Sequence, residues 1–340
     1  MEKICVLGAG SWGTALALVV AKKGYDVSMW TLNEDQCSLI NETRENRDYL
    51  PGVNIPTNIK VTTNIEESVT DSSMIVLAVP SQAIRSICKQ IKPFVKSNQI
   101  LIDVAKGLEK GTGLRLSEVC EQEIPECEYV VLSGPSHAEE VSRDIPTTVV
   151  VASEKLSTAE KVQDTFMSPK FRVYTNPDVV GVELGGALKN IIAFGAGICD
   201  GLGYGDNAKA ALMTRGIREI SRLGIAMGAE SPTFSGLSGI GDLIVTCTSM
   251  HSRNRRAGIL IGQGKSLEET LKEVKMVVEG ITATEVAYEV SKKLNVDMPI
   301  TSAIYSILHS NLNPNEVVID LMMRNKTHEM EEIVSEKLGF

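Results

Sequence analysis

Short, continuous runs of apolar residues alternate with amphipathic stretches over the first half of the chain. Seven runs have the length of a strand and are rich in Val, Ile and Leu: 3–7, 27–30, 59–61, 74–79, 99–104, 129–132 and 147–151. Strands with little in-and-out alternation are typical of sheets that are covered by helices on both faces. Because helical or turn-rich segments lie between these runs, we predict an α/β domain with a doubly wound, mostly parallel sheet.

The pattern changes near residue 180. Stretches of helical periodicity then follow one another from 180–200 to 300–310, and the charge-rich tail 315–338 has the same periodicity. We therefore predict two domains, an α/β domain over 1–180 and an all-helical domain over 181–340. The length of 340 residues agrees with two domains of ordinary size.

Composition narrows the classes of partner and the compartment. The chain has 34 Lys and Arg against 43 Asp and Glu, a net charge of −9, which disfavours nucleic acid and anionic membranes as main partners. We find no signal peptide and no apolar stretch near the length of a membrane span, so we expect a cytoplasmic protein without stable membrane insertion. The seven cysteines form no C-x-x-C pair, which favours a reducing compartment and argues against a zinc site. We expect no metal.

A glycine-rich turn follows the first predicted strand and opens a helix. It reads Gly8-Ala9-Gly10-Ser11-Trp12-Gly13, a G-x-G-x-x-G pattern in the context of a strand–helix–strand unit. Gly8 permits the tight turn, Gly10 permits a pyrophosphate to approach the backbone, and Gly13 permits helix–strand packing. The turn therefore predicts an NAD(P)-binding Rossmann domain. At the end of the second strand, 30–34, neither the acidic signature of NAD enzymes nor the arginine signature of NADP enzymes is clean, so the cofactor preference stays open.

Two lysines are candidates for catalysis. Lys106 follows the fifth strand, at the sheet edge where such folds bind ligands, although a solvated loop lysine is the alternative. Lys189 lies in a helix of small and apolar residues, where burial would bring its pKa toward neutrality, as a general acid–base group requires. Its alternative is a lysine that reaches the helix surface. Asn190 could hold a substrate hydroxyl, and Asp242 could orient the lysine.

Two further segments have the composition of binding loops. Arg253 and Asn254, at a predicted helix start, could form a phosphate site, with a solvated Arg-rich face as the alternative. The segment Ser133–Glu139 predicts a rigid turn and a helix capped by Ser136. We interpret His137 as structural, because a single histidine at a helix start more often is.

Together these motifs resemble the bacterial NAD(P)-dependent glycerol-3-phosphate dehydrogenases. The resemblance runs from Gly8 to about Glu279 and rests on GAGSWGTA, AKGLE, SGPS, LKN, GDL and SRNRR, in this order and spacing. It implies a Rossmann domain joined to a helical domain similar to that of 6-phosphogluconate dehydrogenase. It also implies the reversible reduction of dihydroxyacetone phosphate to sn-glycerol 3-phosphate for phospholipid synthesis, and a homodimer.

The resemblance further implies roles for individual residues. Lys189 would be the proton donor to the ketone and the acceptor in reverse. The substrate would contact Lys106, Gly134, Ser136, Lys189, Asn190, Asp242, Thr246, Ser252, Arg253 and Asn254. The cofactor would contact Gly8, Gly10, Ser11, Trp12, Gly13, Asn33, Tyr49, Lys106, Ala138, Arg253, Val277 and Glu279. Many relatives have a basic residue where this chain has Leu32 and Asn33, so an NADPH preference does not carry over.

Two other functions remain open from the sequence. One is a dehydrogenase of the same fold that acts on a different hydroxy acid, which would respond differently to loss of Arg253. The other is a cofactor-binding sensor without catalysis, against which the presence of Lys106, Lys189 and Asp242 argues.

Overall fold

The computed structural model describes residues 2–310, 312–326 and 328–329. Eight strands form one sheet, in the order β3-β2-β1-β4-β5-β6-β7-β8. They are β1 (Lys3–Leu7), β2 (Asp26–Trp30), β3 (Ile59–Thr62), β4 (Ser72–Leu77), β5 (Ile100–Asp103), β6 (Glu128–Ser133), β7 (Thr147–Ala152) and β8 (Phe171–Asn176). All neighbouring strands are parallel except β6 and β7. The predicted doubly wound, mostly parallel sheet is confirmed.

Strand β8 was not among the seven predicted strands. Its inward residues Phe171 and Val173 are buried, whereas Arg172 and Tyr174 between them are exposed. β8 lies at the edge of the sheet, where it pairs only with β7. An edge strand with one wet face alternates apolar and polar residues, so a search for continuous apolar runs passes over it.

Seven helices accompany the sheet and cover its faces. They are α1 (Ser11–Lys22), α2 (Glu34–Thr43), α3 (Ile65–Val69), α4 (Ile84–Ile91), α5 (Leu116–Glu123), α6 (Ala138–Val141) and α7 (Leu156–Phe166). Helix α1 begins at Ser11, within the G-x-G-x-x-G segment, so the glycine turn runs directly into the helix. The predicted cap of α6 by Ser136 is wrong. His137 holds the cap position, and the Ser136 hydroxyl donates instead to the carbonyl of Gly134 at 2.9 Å.

After β8 the described chain is helical. The helices are α8 (Val179–Gly201), α9 (Asp206–Ala226), α10 (Asp242–Thr248), α11 (Arg253–Gly262), α12 (Leu267–Val274), α13 (Glu279–Lys293), α14 (Pro299–Ser310) and α15 (Pro314–Met322). Strand β8 ends at Asn176, close to the boundary that we place at residue 180. Helix α15 covers part of the predicted tail 315–338, and residues 327 and 330–338 of that tail lie outside the described part.

Helix α8 is the centre of the helical half and packs against α9, α10, α11 and α13. Glycines allow α8 and α11 to approach closely. A Cβ at Gly258 would lie 2.0 Å from the carbonyl oxygen of Phe194, and one at Gly197 would lie 2.0 Å from that of Arg255. Neither gap holds a side chain, so the backbones themselves are in contact.

Helix α8 is also long and apolar enough to span a membrane, which the sequence analysis missed. Its most apolar window is 94% buried inside the protein, so this helix is the core of the helical half. The charged residues Glu183 and Lys189 interrupt its apolar sequence, and for this reason no continuous apolar run is visible. All seven cysteines are free.

Candidate active site

A cavity of about 990 Å³ lies at the carboxyl ends of β1, β4 and β5 and is closed on the other side by helices of the second half. Strand order reverses between β1 and β4. In open parallel sheets the crevice at such a reversal is where ligands bind. The cavity is therefore the candidate active site.

The glycine turn forms one end of this cavity. Gly8 has φ +119°, and a Cβ there would lie 2.5 Å from the carbonyl oxygen of Ala78. A Cβ at Gly10 would meet nothing within 4 Å, so this part of the backbone faces open space. Helix α1 begins next to it, at Ser11, with no acidic residue in its first turn. Free N–H groups beside an open glycine suit a pyrophosphate, so this end of the cavity fits a dinucleotide.

The end of β2 forms the wall beside the glycine turn. Leu32 is 79% exposed, and the Asn33 side chain caps α2 by accepting a hydrogen bond from the Gln36 amide at 2.9 Å. The Gln36 side chain in turn donates to the carbonyl of Ala9 at 2.7 Å. This side chain, which the sequence analysis did not single out, ties the two cofactor-facing loops together.

Tyr49 and Ser11 are joined across the same wall. The Ser11 hydroxyl donates to the backbone carbonyl of Tyr49 at 2.6 Å, and both residues line the cavity. Trp12 also lines it, and its buried indole N–H has no hydrogen-bond partner in the part of the chain that the structure describes. The three residues predicted from the resemblance thus lie together at the glycine turn.

Three charged side chains form a cluster at the other end of the cavity. Lys189, on α8, is 6% exposed and donates to the carboxylate of Asp242 and to the Thr246 hydroxyl, the latter at 2.7 Å. Lys106 donates to the other oxygen of Asp242 at 2.7 Å and to the carbonyl of Gly134 at 3.0 Å. One carboxylate therefore holds two ammonium groups that come from different halves of the chain.

The pKa values of this cluster suit proton transfer. Burial lowers the pKa of Lys189 to about 7, although the negative charge of Asp242 opposes the shift. Burial alone would raise the pKa of Asp242, but the charges of Lys106 and Lys189 outweigh it and the net shift is downward. Asp242 is thus ionised, while Lys189 can gain or lose a proton near neutral pH.

Hydrogen bonds of two side-chain amides connect the lysine cluster to α11 and α13. The Asn254 side chain donates to the side-chain oxygen of Asn190 at 2.8 Å and accepts from the Gly280 amide at 2.8 Å. Asn190 in turn donates to the carbonyl of Lys106 at 3.3 Å. These bonds fix the orientation of both amides where they line the cavity.

Arg253 is the first residue of α11, which Ser252 caps by accepting from the Arg255 amide at 3.2 Å. Within the described residues, Arg253 makes no hydrogen bond and no ion pair. Burial lowers its pKa, and the charges of Glu279 and Glu139 oppose that shift. A partly buried guanidinium without a close partner, at a helix start, is suited to an anion.

Glu279 and Ser81 join the two halves of the chain beside the cavity. The Ser81 hydroxyl donates to one carboxylate oxygen of Glu279 at 2.8 Å, and the Ser81 amide donates to the other at 3.3 Å. Ser81 was not among the predicted site residues, although it follows Pro80 at the carboxyl end of β4.

His137 also lines the cavity. Its ring lies 5.6 Å from the ring of His251, measured between the centroids. Burial lowers the pKa of His137, and the positive charge of Lys189 adds to the effect. Its Nε2 atom is buried without a hydrogen-bond partner among the described residues. His251 was not among the predicted site residues.

The cavity lining includes most of the predicted site residues. Those that line it are Gly8, Gly10, Ser11, Trp12, Asn33, Tyr49, Lys106, Ser136, Ala138, Lys189, Asn190, Thr246, Ser252, Arg253, Asn254, Val277 and Glu279. Gly13, Gly134 and Asp242 lie behind the lining instead. Gly13 packs against Gly8, the Gly134 carbonyl accepts from Lys106, and Asp242 is covered by the two lysines that it holds.

Comparison with known proteins agrees with the family resemblance that the sequence motifs indicate. The model of the NAD-dependent glycerol-3-phosphate dehydrogenase N-terminus matches residues 3–159, and that of the C-terminus matches residues 178–319. The chain belongs to this family. The expected resemblance and the predicted fold class are both confirmed.

Individual relatives in the family are similar over nearly the whole chain. A glycerol-3-phosphate dehydrogenase (NAD(P)+) of Pelotomaculum thermopropionicum is 60% identical, with 97% of this chain and 96% of that protein covered. The enzyme of the same name from Bacillus subtilis is 55% identical, with 98% of each covered. The crystal structure of glycerol-3-phosphate dehydrogenase from Coxiella burnetii has a TM-score of 0.92 and 38% identity, and covers 95% of this chain and 99% of that one.

Proposed function

We propose that the protein catalyses the reversible reduction of dihydroxyacetone phosphate to sn-glycerol 3-phosphate with NADH or NADPH. The observation that carries this proposal is the Lys189–Asp242–Lys106 cluster at one end of a cavity whose other end is the glycine turn. The bound nicotinamide would supply or accept the hydride. From its membership of the family, we infer that the reaction supplies the glycerol phosphate backbone for phospholipid synthesis.

In this proposal Lys189 is the general acid. Its ammonium, 6% exposed and with a pKa of about 7, donates a proton to the ketone oxygen as negative charge develops there. In the oxidation direction the neutral amine accepts the proton of the hydroxyl. Asp242 keeps enough positive charge on Lys189 for the forward reaction, and Lys106 adds a second positive group beside the reacting oxygen.

Arg253 and the start of α11 would bind the phosphate. The guanidinium makes no ion pair within the described residues, and the first N–H groups of α11 lie beside it. The remaining substrate contacts would come from Gly134, Ser136, Asn190, Thr246, Ser252 and Asn254. Binding the phosphate far from the carbonyl would hold the ketone in position for transfer.

The cofactor would lie along the glycine turn, with its pyrophosphate at Gly10 and the start of α1. Asn33 and Tyr49 would face its ribose. Ala138, Val277 and Glu279 would contact the cofactor from the opposite wall of the cavity. Because the residues after β2 give neither a clean NAD signature nor a clean NADP signature, we expect both NADH and NADPH to be used. Initial rates with the two cofactors, measured side by side at equal concentrations, test this expectation.

The organisation of the whole molecule is part of the proposal. We expect the division into domains at about residue 180, a homodimer and a cytoplasmic location. Size-exclusion chromatography with light scattering measures the mass of the particle directly. A monomer at micromolar concentration would contradict the homodimer.

The substrate assignment is tested by removing the phosphate. Purified protein is mixed with NADPH and either dihydroxyacetone phosphate or dihydroxyacetone, and the oxidation of NADPH is followed by its loss of absorbance. We expect activity with the phosphate only, and Arg253→Ala to raise the KM for it by roughly a hundredfold, as loss of a charged contact costs about 3 kcal/mol. Arg172→Ala, on strand β8, is the matched control and should leave the KM unchanged.

The alternatives give different results in the same assay. A dehydrogenase for another hydroxy acid would reduce the corresponding keto acid, which has no phosphate, and would be little affected by Arg253→Ala. A sensor would bind the cofactor and turn over none of these substrates.

A further inference from the structure

A cluster of buried polar side chains joins the two halves of the chain outside the cavity. Asp103 ends strand β5, Tyr129 lies in β6, and Glu183 lies in helix α8. Asp103 is 0% and Glu183 7% exposed. Buried carboxylates are costly unless they are paired or protonated, so the bonds of this cluster define its charge.

The two contacts of Tyr129 bear on the number of protons in this cluster. Its hydroxyl oxygen lies 3.0 Å from a carboxylate oxygen of Asp103 and 3.0 Å from one of Glu183. A phenol has one proton to donate, and an ionised carboxylate has none. If both contacts are hydrogen bonds, one of the two carboxyl groups must be protonated and must donate to the phenol oxygen.

The surrounding donors identify which carboxyl group is charged. Glu183 accepts from the Ser117 amide at 2.8 Å, from the Ser117 hydroxyl at 2.6 Å and from Arg115 at 2.9 Å. Within the described residues Asp103 makes no ion pair, and it accepts from the Ala105 amide at 3.0 Å. The negative charge therefore belongs on Glu183, and the proton on Asp103.

The electrostatic surroundings agree with this assignment. Burial raises the pKa of Asp103 to about 8, and the charge of Glu183 adds to the rise. Burial raises the pKa of Glu183 as well, and Arg115 and Ser117 reduce that rise without reversing it. The other titratable neighbour is Cys120 on α5, whose pKa is raised by the Cys88 contact and by burial, so it stays a neutral thiol.

We propose that Asp103 is a protonated carboxylic acid in the native protein and that the chain Asp103–Tyr129–Glu183 positions the two active-site lysines. Asp103 holds the amide of Ala105, the residue before Lys106. Glu183 lies on the same helix as Lys189. The chain thus ties the loop of Lys106 to the helix of Lys189 at a further point, in addition to Asp242 and the Asn190–Lys106 bond.

The location of the proton is tested with Asp103→Asn. Asparagine is always neutral, can donate to Tyr129 and can accept from Ala105, so it reproduces the protonated acid. Wild-type Asp103 takes up a proton on folding at any pH between its unfolded value of about 3.9 and its folded value of about 8. The unfolding constant of wild type relative to the variant should therefore rise about tenfold per pH unit, or about a hundredfold from pH 5 to pH 7.

Glu183→Gln is the matched control. Because Glu183 is the charged partner of Arg115, its variant should be less stable than wild type, and its ratio of unfolding constants should change with pH much less than the ratio for Asp103→Asn. A constant ratio for Asp103→Asn would overturn the proposal. A rising ratio for Glu183→Gln alone would place the proton on Glu183 and overturn it too.

Infrared spectroscopy gives a second measurement that needs no unfolding. The wild-type minus Asp103→Asn difference spectrum at pH 7 should contain the carbonyl band of a protonated carboxylic acid. A difference spectrum with carboxylate bands only would contradict the assignment.

The positioning role is tested by kinetics. Asp103→Ala and Tyr129→Phe should each lower kcat for dihydroxyacetone phosphate by roughly tenfold or more, with little change in KM, because misplaced catalytic groups slow the chemical step. Asp103→Asn should restore kcat to within about twofold of wild type. If the folded Asp103→Ala and Tyr129→Phe proteins had wild-type kcat, the positioning role would be refuted.

Discussion

Replacing Asp242 by asparagine changes the charge of the catalytic cluster while keeping its shape. In the structure the Asp242 carboxylate accepts hydrogen bonds from both Lys189 and Lys106. Its negative charge is the main influence that raises the pKa of Lys189 against burial. Without it, Lys189 stays buried beside the positive charge of Lys106, and both effects lower its pKa.

The magnitude follows from the usual effect of one close opposite charge. Such a charge moves the pKa of a neighbouring group by about one to three. With a middle value of two, the pKa of Lys189 falls from about 7 to about 5. The protonated share at pH 7 then falls from about one half to about one in a hundred. We therefore expect kcat for ketone reduction at pH 7 to fall roughly fiftyfold.

The assay is the initial rate of cofactor oxidation with saturating dihydroxyacetone phosphate, measured from pH 5 to pH 9. In wild type the reduction rate should fall as the pH rises through about 7, since the reaction needs the protonated lysine. In Asp242→Asn the same decline should occur about two pH units lower. Thr246→Val is the control, because it removes a neutral hydrogen bond to Lys189 and should leave the midpoint unchanged.

An unchanged pH midpoint in Asp242→Asn would refute this reasoning, even if the rate were lower. It would mean that Asp242 positions the lysine without controlling its charge.

Three further predictions concern the cofactor site and the packing of the fold. Gly10→Ala should raise the KM for NADPH at least roughly tenfold with little loss of stability, because its Cβ would enter open space meant for the cofactor; calorimetry and initial rates check this together. Gly13→Ala should instead lower the melting temperature, since its Cβ would lie 2.0 Å from a backbone oxygen; a variant as stable as wild type would contradict the packing. Gly258→Ala should cost about 3 kcal/mol of unfolding free energy in denaturant titrations, whereas Gly205→Ala, with nothing within 4 Å, should cost about 1 kcal/mol at most.

Much of the fold and the cavity could be predicted because the relevant signals are local. Buried parallel strands are apolar throughout, and the glycine turn combines a positive φ at Gly8 with an open backbone at Gly10. The burial of Lys189 could be predicted because it lies in a helix of small and apolar residues, as buried helices do.

The remaining features depend on contacts between distant parts of the chain. The bond between Tyr129 and Glu183 joins residues that are 54 apart in sequence, and no local pattern indicates it. Strand β8 was missed because its alternation reflects its place at the sheet edge, which only the assembled sheet defines. Ser136 does not cap α6 because the helix begins one position later, with His137 at the cap position.

The central claim is that Lys189 is the acid in a reaction specific for dihydroxyacetone phosphate. The most direct test is the initial rate of Lys189→Met, which keeps the length of the side chain and removes its charge, alongside NADPH binding by calorimetry. We predict a kcat lower by roughly a thousandfold or more, as for loss of a general acid that also stabilises charge, with NADPH affinity within about threefold of wild type. A Lys189→Met protein that reduced dihydroxyacetone phosphate at the wild-type rate would contradict the account.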